Sequence, residues 1–169
     1  LLAGALLGQM AFAGAGEASF QLGDYGSARR YLERALALDP GAERAAGLLE
    51  TTRRIESGNP LAPRLPSDER MRRLLAGLDQ AARRLDGCLE GPSDVPASER
   101  PGLEQLRAEV VSMRGLLDAK GRPRGPGLVQ DGAELVFRVE EAASRSCGEP
   151  TGLDLALLLI GRKHGGAGS

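Results

Sequence analysis

The chain has 169 residues, enough for one compact domain or two small ones. Its hydrophobic content of 41% and charged content of 27% are close to globular averages, which argues against wholesale disorder. The 22 basic residues nearly balance the 23 acidic ones, so no charge excess indicates a nucleic-acid partner. Aromatic residues make up only 3%, and strand-forming residues are scarce. This composition predicts an all-α protein with a core of Leu, Ala and Val.

The segment before Glu17, the first ionisable residue, carries no charge. It is too short to span a bilayer by itself, because a spanning helix needs about 20 apolar residues. Residues 1–13 have two interpretations, which do not exclude each other. They are the end of a membrane anchor or signal segment, with Ala11-Phe12-Ala13 resembling a cleavage site, or part of a buried hairpin helix. A membrane contact is expected only through such an N-terminal anchor.

Three helices are predicted in the first third of the chain, over about 9–22, 25–38 and 42–56. The first ends at Gly23-Asp24, and the second ends at Asp39-Pro40-Gly41 because proline cannot continue the helical hydrogen-bond ladder. Residues 58–66 contain three prolines and predict a stiff, extended connector. This connector separates a predicted domain over residues 1–57 from a second one.

Four further helices are predicted to form a small bundle over residues 67–160. The first of them carries the strongest helical periodicity of the chain, at Met71, Leu74, Leu75, Leu78, Ala82, Leu85, Cys88 and Leu89. The others are expected at about 101–119, 128–146 and 153–160. The last is apolar nearly all round, so we expect it to be buried or bound. Residues 161–169 lose the pattern and are predicted to be a disordered tail.

Small and large residues recur in the first two helices with a spacing that resembles one protein family. The pattern comprises Phe12, Ala15, Gly16, Phe20, Gly23, Asp24, Tyr25, Ala28, Leu32, Ala35 and Pro40. It resembles a single tetratricopeptide repeat, a helical hairpin of about 34 residues, placed here at about residues 9–42. The resemblance implies structural roles in helix approach, turn, helix interface and repeat end for Gly16, Gly23, Tyr25, Ala28, Leu32, Ala35 and Pro40.

No second repeat follows the first. Continuing the same frame puts Glu50 at the small glycine position and Pro66 at a large apolar position, where no helix can form. The third helix therefore resembles the capping helix that closes such arrays. Since one repeat cannot bury its apolar face alone, upstream sequence, the C-terminal helices or a partner must cover the remaining surface.

In the family, the inner face of the first helix lines a groove that binds peptide segments. By position, that partner-binding face here holds Met10, Ala13, Glu17, Phe20 and Gln21. A known variant of the family clamps a terminal carboxylate with basic and amide side chains. Ala13 and Glu17 occupy those places, and Glu17 would repel a carboxylate, so that activity is not expected. The alternative is that Met10 and Phe20 only belong to the core.

Two cysteines allow a disulfide between Cys88, near the end of the fourth helix, and Cys147, at the end of the sixth. If helices four to six run up, down and up, these two ends lie together. A bond closing about 60 residues would stabilise the fold by roughly 4 kcal/mol and place it outside the reducing cytoplasm. The alternative is two buried thiols that act as small hydrophobes. The bond, the uncharged N-terminus and a composition typical of GC-rich bacteria favour the bacterial envelope or periplasm over the cytoplasm.

Residues for catalysis are not apparent in the sequence. The one histidine, His164, lies in the glycine-rich tail, and neither a metal-binding spacing nor a phosphate-binding glycine motif occurs. The sequence therefore predicts no enzyme, no cofactor, no metal site and no small-molecule substrate. It favours a non-catalytic interaction or scaffolding protein with a protein or peptide partner. The alternative is a structural accessory domain whose repeat packs on its own bundle and exposes no groove.

Overall fold

The structure, a computed structural model, describes residues 2–91, 95–118 and 126–166, and all regular structure in these ranges is helical. The helices are α1 (Leu2–Gln21), α2 (Tyr25–Leu38), α3 (Glu43–Gly58), α4 (Ser67–Glu90), α5 (Arg100–Asp118), α6 (Pro126–Ser146) and α7 (Gly152–Gly166). The predicted all-α class is confirmed. The chain divides into two compact units, Leu1–Ser57 and Gly58–Ser169, which we call unit 1 and unit 2.

Unit 1 is a hairpin of α1 and α2 with α3 packed against it. Gly23 occupies the left-handed region with φ 72° and lets the chain turn after α1. The Asp24 side chain then caps α2 by accepting a 3.0 Å hydrogen bond from the Ser27 N–H. The core of the unit is a cluster of five small and large aliphatic residues: Ala28, Leu32, Ala35, Ala45 and Leu49. These residues close the hairpin on one side and hold α3 on the other.

The first helix is longer than predicted, because it begins at Leu2 instead of about residue 9. Ala, Leu and Gly fill these first positions, and the uncharged segment continues the helix without a break. In the ranges that the structure describes, no helix combines the length and the apolar character that a membrane span requires.

Unit 2 is a bundle in which α4 packs against α5, α6 and α7, and α6 also packs against α5 and α7. Its fully buried large aliphatic side chains come from all four helices: Leu74, Leu78, Leu85, Leu117, Val136, Val139, Leu157 and Ile160. The stripe predicted on α4 is confirmed in part: Leu74, Leu78, Leu85, Cys88 and Leu89 are buried, whereas Met71, Leu75 and Ala82 are half-buried.

The segment 58–66, predicted to be an extended connector, belongs to unit 2 and packs against α4. Pro60 is buried, and the Asn59 side chain accepts a 2.9 Å hydrogen bond from the Leu61 N–H. Arg73 on α4 donates a 3.2 Å hydrogen bond to the Asn59 carbonyl. The prolines bend the chain into turns that lie along α4, so the segment is not the extended spacer that its proline content suggested.

The predicted disordered tail is also wrong in part, because α7 continues past Ile160 to Gly166. Gly161 lies flat on Phe137 of α6, where an added Cβ would come within 2.7 Å of the Phe137 Cβ. The His164 ring stacks on the same phenylalanine with centroids 5.9 Å apart. Arg162 adds an ion pair of 3.0 Å with Glu141. These contacts stabilise the glycine-rich end of α7 as a helix. Residues 167–169, the rest of the predicted tail, lie outside the described residues.

Candidate functional site

The approach of α1 to α2 is set by Gly16, which is buried against Leu32. A Cβ built at Gly16 would lie 2.7 Å from Leu32 Cγ and 3.3 Å from the Leu32 backbone nitrogen. Leu32 is fully buried, so it has no free space into which it can retreat. The missing side chain at Gly16 is therefore what allows the two helices to pack at this distance.

Substitution of Gly16 by alanine is expected to destabilise unit 1 by about 1–3 kcal/mol through overpacking. The matched control is Gly14→Ala in the same helix, where an added Cβ meets nothing within 4 Å. Because alanine is the better helix former, this control should stabilise by up to about 1 kcal/mol. Both changes are measured by urea denaturation followed through tyrosine fluorescence, since Tyr25 and Tyr31 both lie in unit 1. Equal stabilisation by the two variants would contradict the tight contact.

A concave site of about 330 Å³ lies where α1, the end of α2 and the start of α3 meet. Five of its lining residues are apolar, and we call them the floor; the other five are polar or charged, and we call them the rim. The floor is formed by Ala13, Leu32, Ala42, Ala45 and Leu48, and the rim by Gln9, Glu17, Asp39, Glu43 and Arg44. We call this site the α1–α3 groove.

An ion pair crosses the groove between α1 and α3. The Arg44 guanidinium donates to both carboxylate oxygens of Glu17, with 3.2 Å from Nε to Oε2 and a shorter contact from the terminal nitrogen to Oε1. The hydrogen bond and the charge of Glu17 raise the pKa of Arg44. Glu17 is therefore neutralised by its partner, so the charge that the sequence placed in the groove does not stand alone.

The five residues predicted for the partner-binding face lie in three different places. Ala13 and Glu17 line the α1–α3 groove. Met10 is 67% exposed, and Gln21 is also exposed, but neither lines the groove. Phe20 packs against the core of unit 1 and meets the Tyr25 ring edge-on at 5.6 Å. Phe20 therefore contributes to the core of unit 1, whereas Met10 does not, and the partner-binding role of this face stays a prediction.

Three residues of α3 line the groove although the sequence does not predict them there. Arg44, Ala45 and Leu48 were placed on a capping helix without a role in the binding face. The alternation of Ala45 and Leu48 on one side of α3 was visible in the sequence. What the sequence did not provide was the position of that side next to Ala13 and Glu17.

The outward side of α1 is a second feature of unit 1. Leu7 is 70% exposed and Met10 is 67% exposed, and the exposed positions continue through Ala11, Gly14 and Ala18 at helical spacing. This face therefore presents apolar and small side chains without charge to solvent.

In unit 2, the cysteines Cys88 and Cys147 lie at the distance of a disulfide. Their sulfur atoms are 1.99 Å apart and their Cα atoms 5.2 Å apart, across 59 residues of sequence. The predicted proximity of the two helix ends is confirmed. That the bond forms in the protein, and with it the predicted compartment, stays a prediction.

One helical turn before Cys88, Arg84 is the centre of a buried charge cluster. Its guanidinium lies 3.4 Å from Glu140 Oε2 of α6 and 3.2 Å from Asp154 Oδ2 of α7. Glu140 is fully buried, and its pKa is raised to about 8 by burial and by the Asp154 charge, against the opposing charge of Arg84. The sequence predicts Arg84 on a solvated helical face and Asp154 as the capping partner of Thr151, and it does not single out Glu140. The first prediction is wrong, because only 9% of the Arg84 side chain is exposed.

The remaining residues with predicted structural roles lie on α2 and in the turns beside it. Ala28, Leu32 and Ala35 are fully buried on α2, Tyr25 is its first residue, and Pro40 lies in the turn that follows it.

His164 stacks on Phe137. Within the described ranges, no group of three or more His, Cys, Asp or Glu side chains is arranged to hold a metal ion.

Comparison with known families agrees with this geometry. Residues 10–42 match the family model described as "Tetratricopeptide repeat", which covers most of α1, all of α2 and the turn after it. The resemblance stated for this segment is confirmed over these residues. No curated protein and no solved structure matches the chain.

Proposed function

We propose that this chain, which carries one tetratricopeptide repeat, is a non-catalytic interaction or scaffolding protein that binds a protein partner through unit 1. Tetratricopeptide repeats typically bind proteins and are generally not catalytic. The observation that supports the proposal most directly is the α1–α3 groove, a concave site with an apolar floor and a polar rim. Such sites bury an apolar side chain and orient the ligand by a few polar groups.

The size and lining of the groove favour a short extended segment with a small apolar side chain. The floor offers Ala13, Ala45 and Leu48 as apolar contacts, and Gln9 at the rim can donate and accept hydrogen bonds. A terminal carboxylate is not favoured, because Arg44 is already engaged by Glu17. We therefore propose an internal stretch of a partner protein as the ligand.

The proposal is tested by filling the groove. A panel of displayed peptides is screened against the full chain, and binders are then measured against the Ala13→Phe variant. Ala13 lines the groove, so its replacement by a ring should abolish binding. Ala11→Phe is the matched control, because Ala11 lies exposed on the outward side of the same helix and should leave binding unchanged.

Three outcomes would contradict this assignment. Binding that survives Ala13→Phe would remove the groove as the site, and loss of binding only in Ala11→Phe would move the site to the outward face of α1. Absence of any binder to the folded chain would favour a structural accessory role for the hairpin.

A further inference from the structure

The buried cluster around Arg84 joins three parts of unit 2 through one guanidinium. Arg84 lies on α4 and approaches Glu140 of α6 and Asp154 of α7 at 3.4 and 3.2 Å. Its other terminal nitrogen donates a 2.9 Å hydrogen bond to the Gly148 carbonyl, in the link between α6 and α7. One positive charge therefore faces two carboxyl groups inside the bundle.

The two carboxyl groups differ in the hydrogen bonds that the protein offers them. Asp154 accepts a 2.7 Å hydrogen bond from Gln80 and a 3.2 Å bond from Arg84, and it lies in the first turn of α7, where negative charge is favoured. Glu140 is fully buried, and neither of its side-chain oxygens has a hydrogen-bond partner within the described ranges. A buried carboxylate without hydrogen bonds is costly, whereas a neutral carboxyl is much less so. If one of the two groups holds a proton, it is Glu140.

We propose that Glu140 is a proton-binding site, and that its proton balances the charge of the cluster and so keeps α7 docked on α4 and α6. With Glu140 neutral, Arg84 and Asp154 form a single pair of opposite charges. With Glu140 ionised, a second negative charge stands next to Asp154 in the interior. Repulsion between the two negative charges weakens the packing of α7, because Asp154 belongs to α7.

Within the described ranges, no other charged group near Glu140 replaces this proton. From α4 the facing charge is Arg84, and from α7 it is Asp154. On α5, which also packs on α6, Glu109 reaches α6 but pairs with Arg138 at the surface. Among the described residues, the charge balance of the cluster therefore depends on whether Glu140 holds a proton.

The direction of the pH effect follows from proton linkage. The pKa of Glu140 rises from 4.5 to about 8 in the folded protein, first because of burial and second because of Asp154. When α7 opens, Glu140 loses the nearby Asp154 charge and part of its burial, so its pKa falls from about 8 towards 4.5. Between the pKa values of the two states the docked state holds up to one proton more than the opened state, so docking weakens as the pH rises and the effect levels off above about pH 8. Hydrogen bonds from surface arginines lower the pKa of three other carboxylates, whose contributions change only below this window: Glu69, Glu109 and Glu141.

Opening of α7 would expose a strongly apolar surface. Ala156, Leu157, Leu158 and Ile160 are all buried in the docked helix. A bond between Cys88 and Cys147 would join α4 to the chain just before α7, so α7 can leave without separating α4 from α6. A rise in pH would therefore expose the apolar, inward-facing side of α7.

The test is amide hydrogen exchange of the full chain between pH 5 and 8, corrected for the intrinsic exchange rate. The opening equilibrium of α7 should rise up to tenfold for each pH unit, as expected for release of one proton. In the Glu140→Gln variant it should not change with pH. Glu134→Gln is the matched control, because Glu134 is exposed on the same helix and should keep the dependence of the natural chain. Amides of α5, which contributes no side chain to the cluster, should show no such dependence.

A second variant and a direct titration keep the test decisive if Glu140→Gln does not fold. Asp154→Asn removes one of the two negative charges, so the pH dependence should end at a lower pH. In the natural chain, the side-chain carboxyl carbon of Glu140 should titrate at about pH 8 by NMR. A midpoint near 4.5, a pH-independent α7, or an equal dependence in α5 and α7 would each overturn the proposal.

Discussion

Replacement of Cys88 and Cys147 by alanine should lower the free energy of unfolding of unit 2 by about 4 kcal/mol. The two residues are 59 positions apart, and a cross-link over such a loop removes this much chain entropy from the unfolded state. Alanine is preferred to serine because Cys88 is only 4% exposed, and a serine would bury a hydroxyl group there. The free energy is measured by urea denaturation of the full chain, followed by circular dichroism.

The chain supplies an internal reference for this experiment. It contains no Trp, and its two tyrosines, Tyr25 and Tyr31, both lie in unit 1. Tyrosine fluorescence should therefore report an unchanged transition of unit 1 while the helical signal of unit 2 shifts. Addition of a dithiol reductant to the natural chain should reproduce the shift. If the reductant has no effect, the cysteines are buried thiols and the envelope prediction loses its support.

Replacement of Leu32 by alanine should destabilise unit 1 by about 2–5 kcal/mol, the range for deleting most of a buried leucine side chain. Leu32 is fully buried, contacts Gly16 and belongs to the cluster that joins α2 to α3. Because it also reaches the floor of the α1–α3 groove, the variant should weaken peptide binding as well. The stability change is measured by tyrosine fluorescence in urea.

The matched control for Leu32 is Leu38→Ala in the same helix. Leu38 is 47% exposed, and substitutions at such surface positions usually change stability by less than about 0.5 kcal/mol. Similar losses at the two positions would mean that the hairpin core does not have the packing described here.

The hairpin could be predicted from sequence because its determinants are local. The repeat fixes the spacing between Gly16, Leu32 and the alanines of α2. In the structure Gly16 contacts Leu32, and Leu32 clusters with Ala28 and Ala35. Ion pairs between distant helices were not predictable in the same way. The pairing of Glu17 with Arg44 spans 27 residues and depends on how α3 returns past α1.

One part of the buried charge cluster was predictable from sequence, and another part was not. Glu140 lies four residues after Val136, on the side of α6 that also carries Ala143, so its burial could have been inferred from periodicity. The approach of Asp154 and Arg84 could not, because it requires the packing of α7 on α4. The end of α7 was mispredicted because Gly161 reads as a helix stop, whereas it provides room for Phe137.

The spacing of the two cysteines also has a mechanical consequence. Once bonded, Cys88 and Cys147 enclose α5 and α6 in a covalent ring, while unit 1, most of α4 and all of α7 lie outside it. A force applied to the two ends of the chain cannot stretch the ring. The sequence separation of 59 between the cysteines would otherwise contribute about 200 Å of contour length. Under tension the bonded protein would therefore extend only in the segments on either side of the ring, and α5 and α6 would both be shielded from the force.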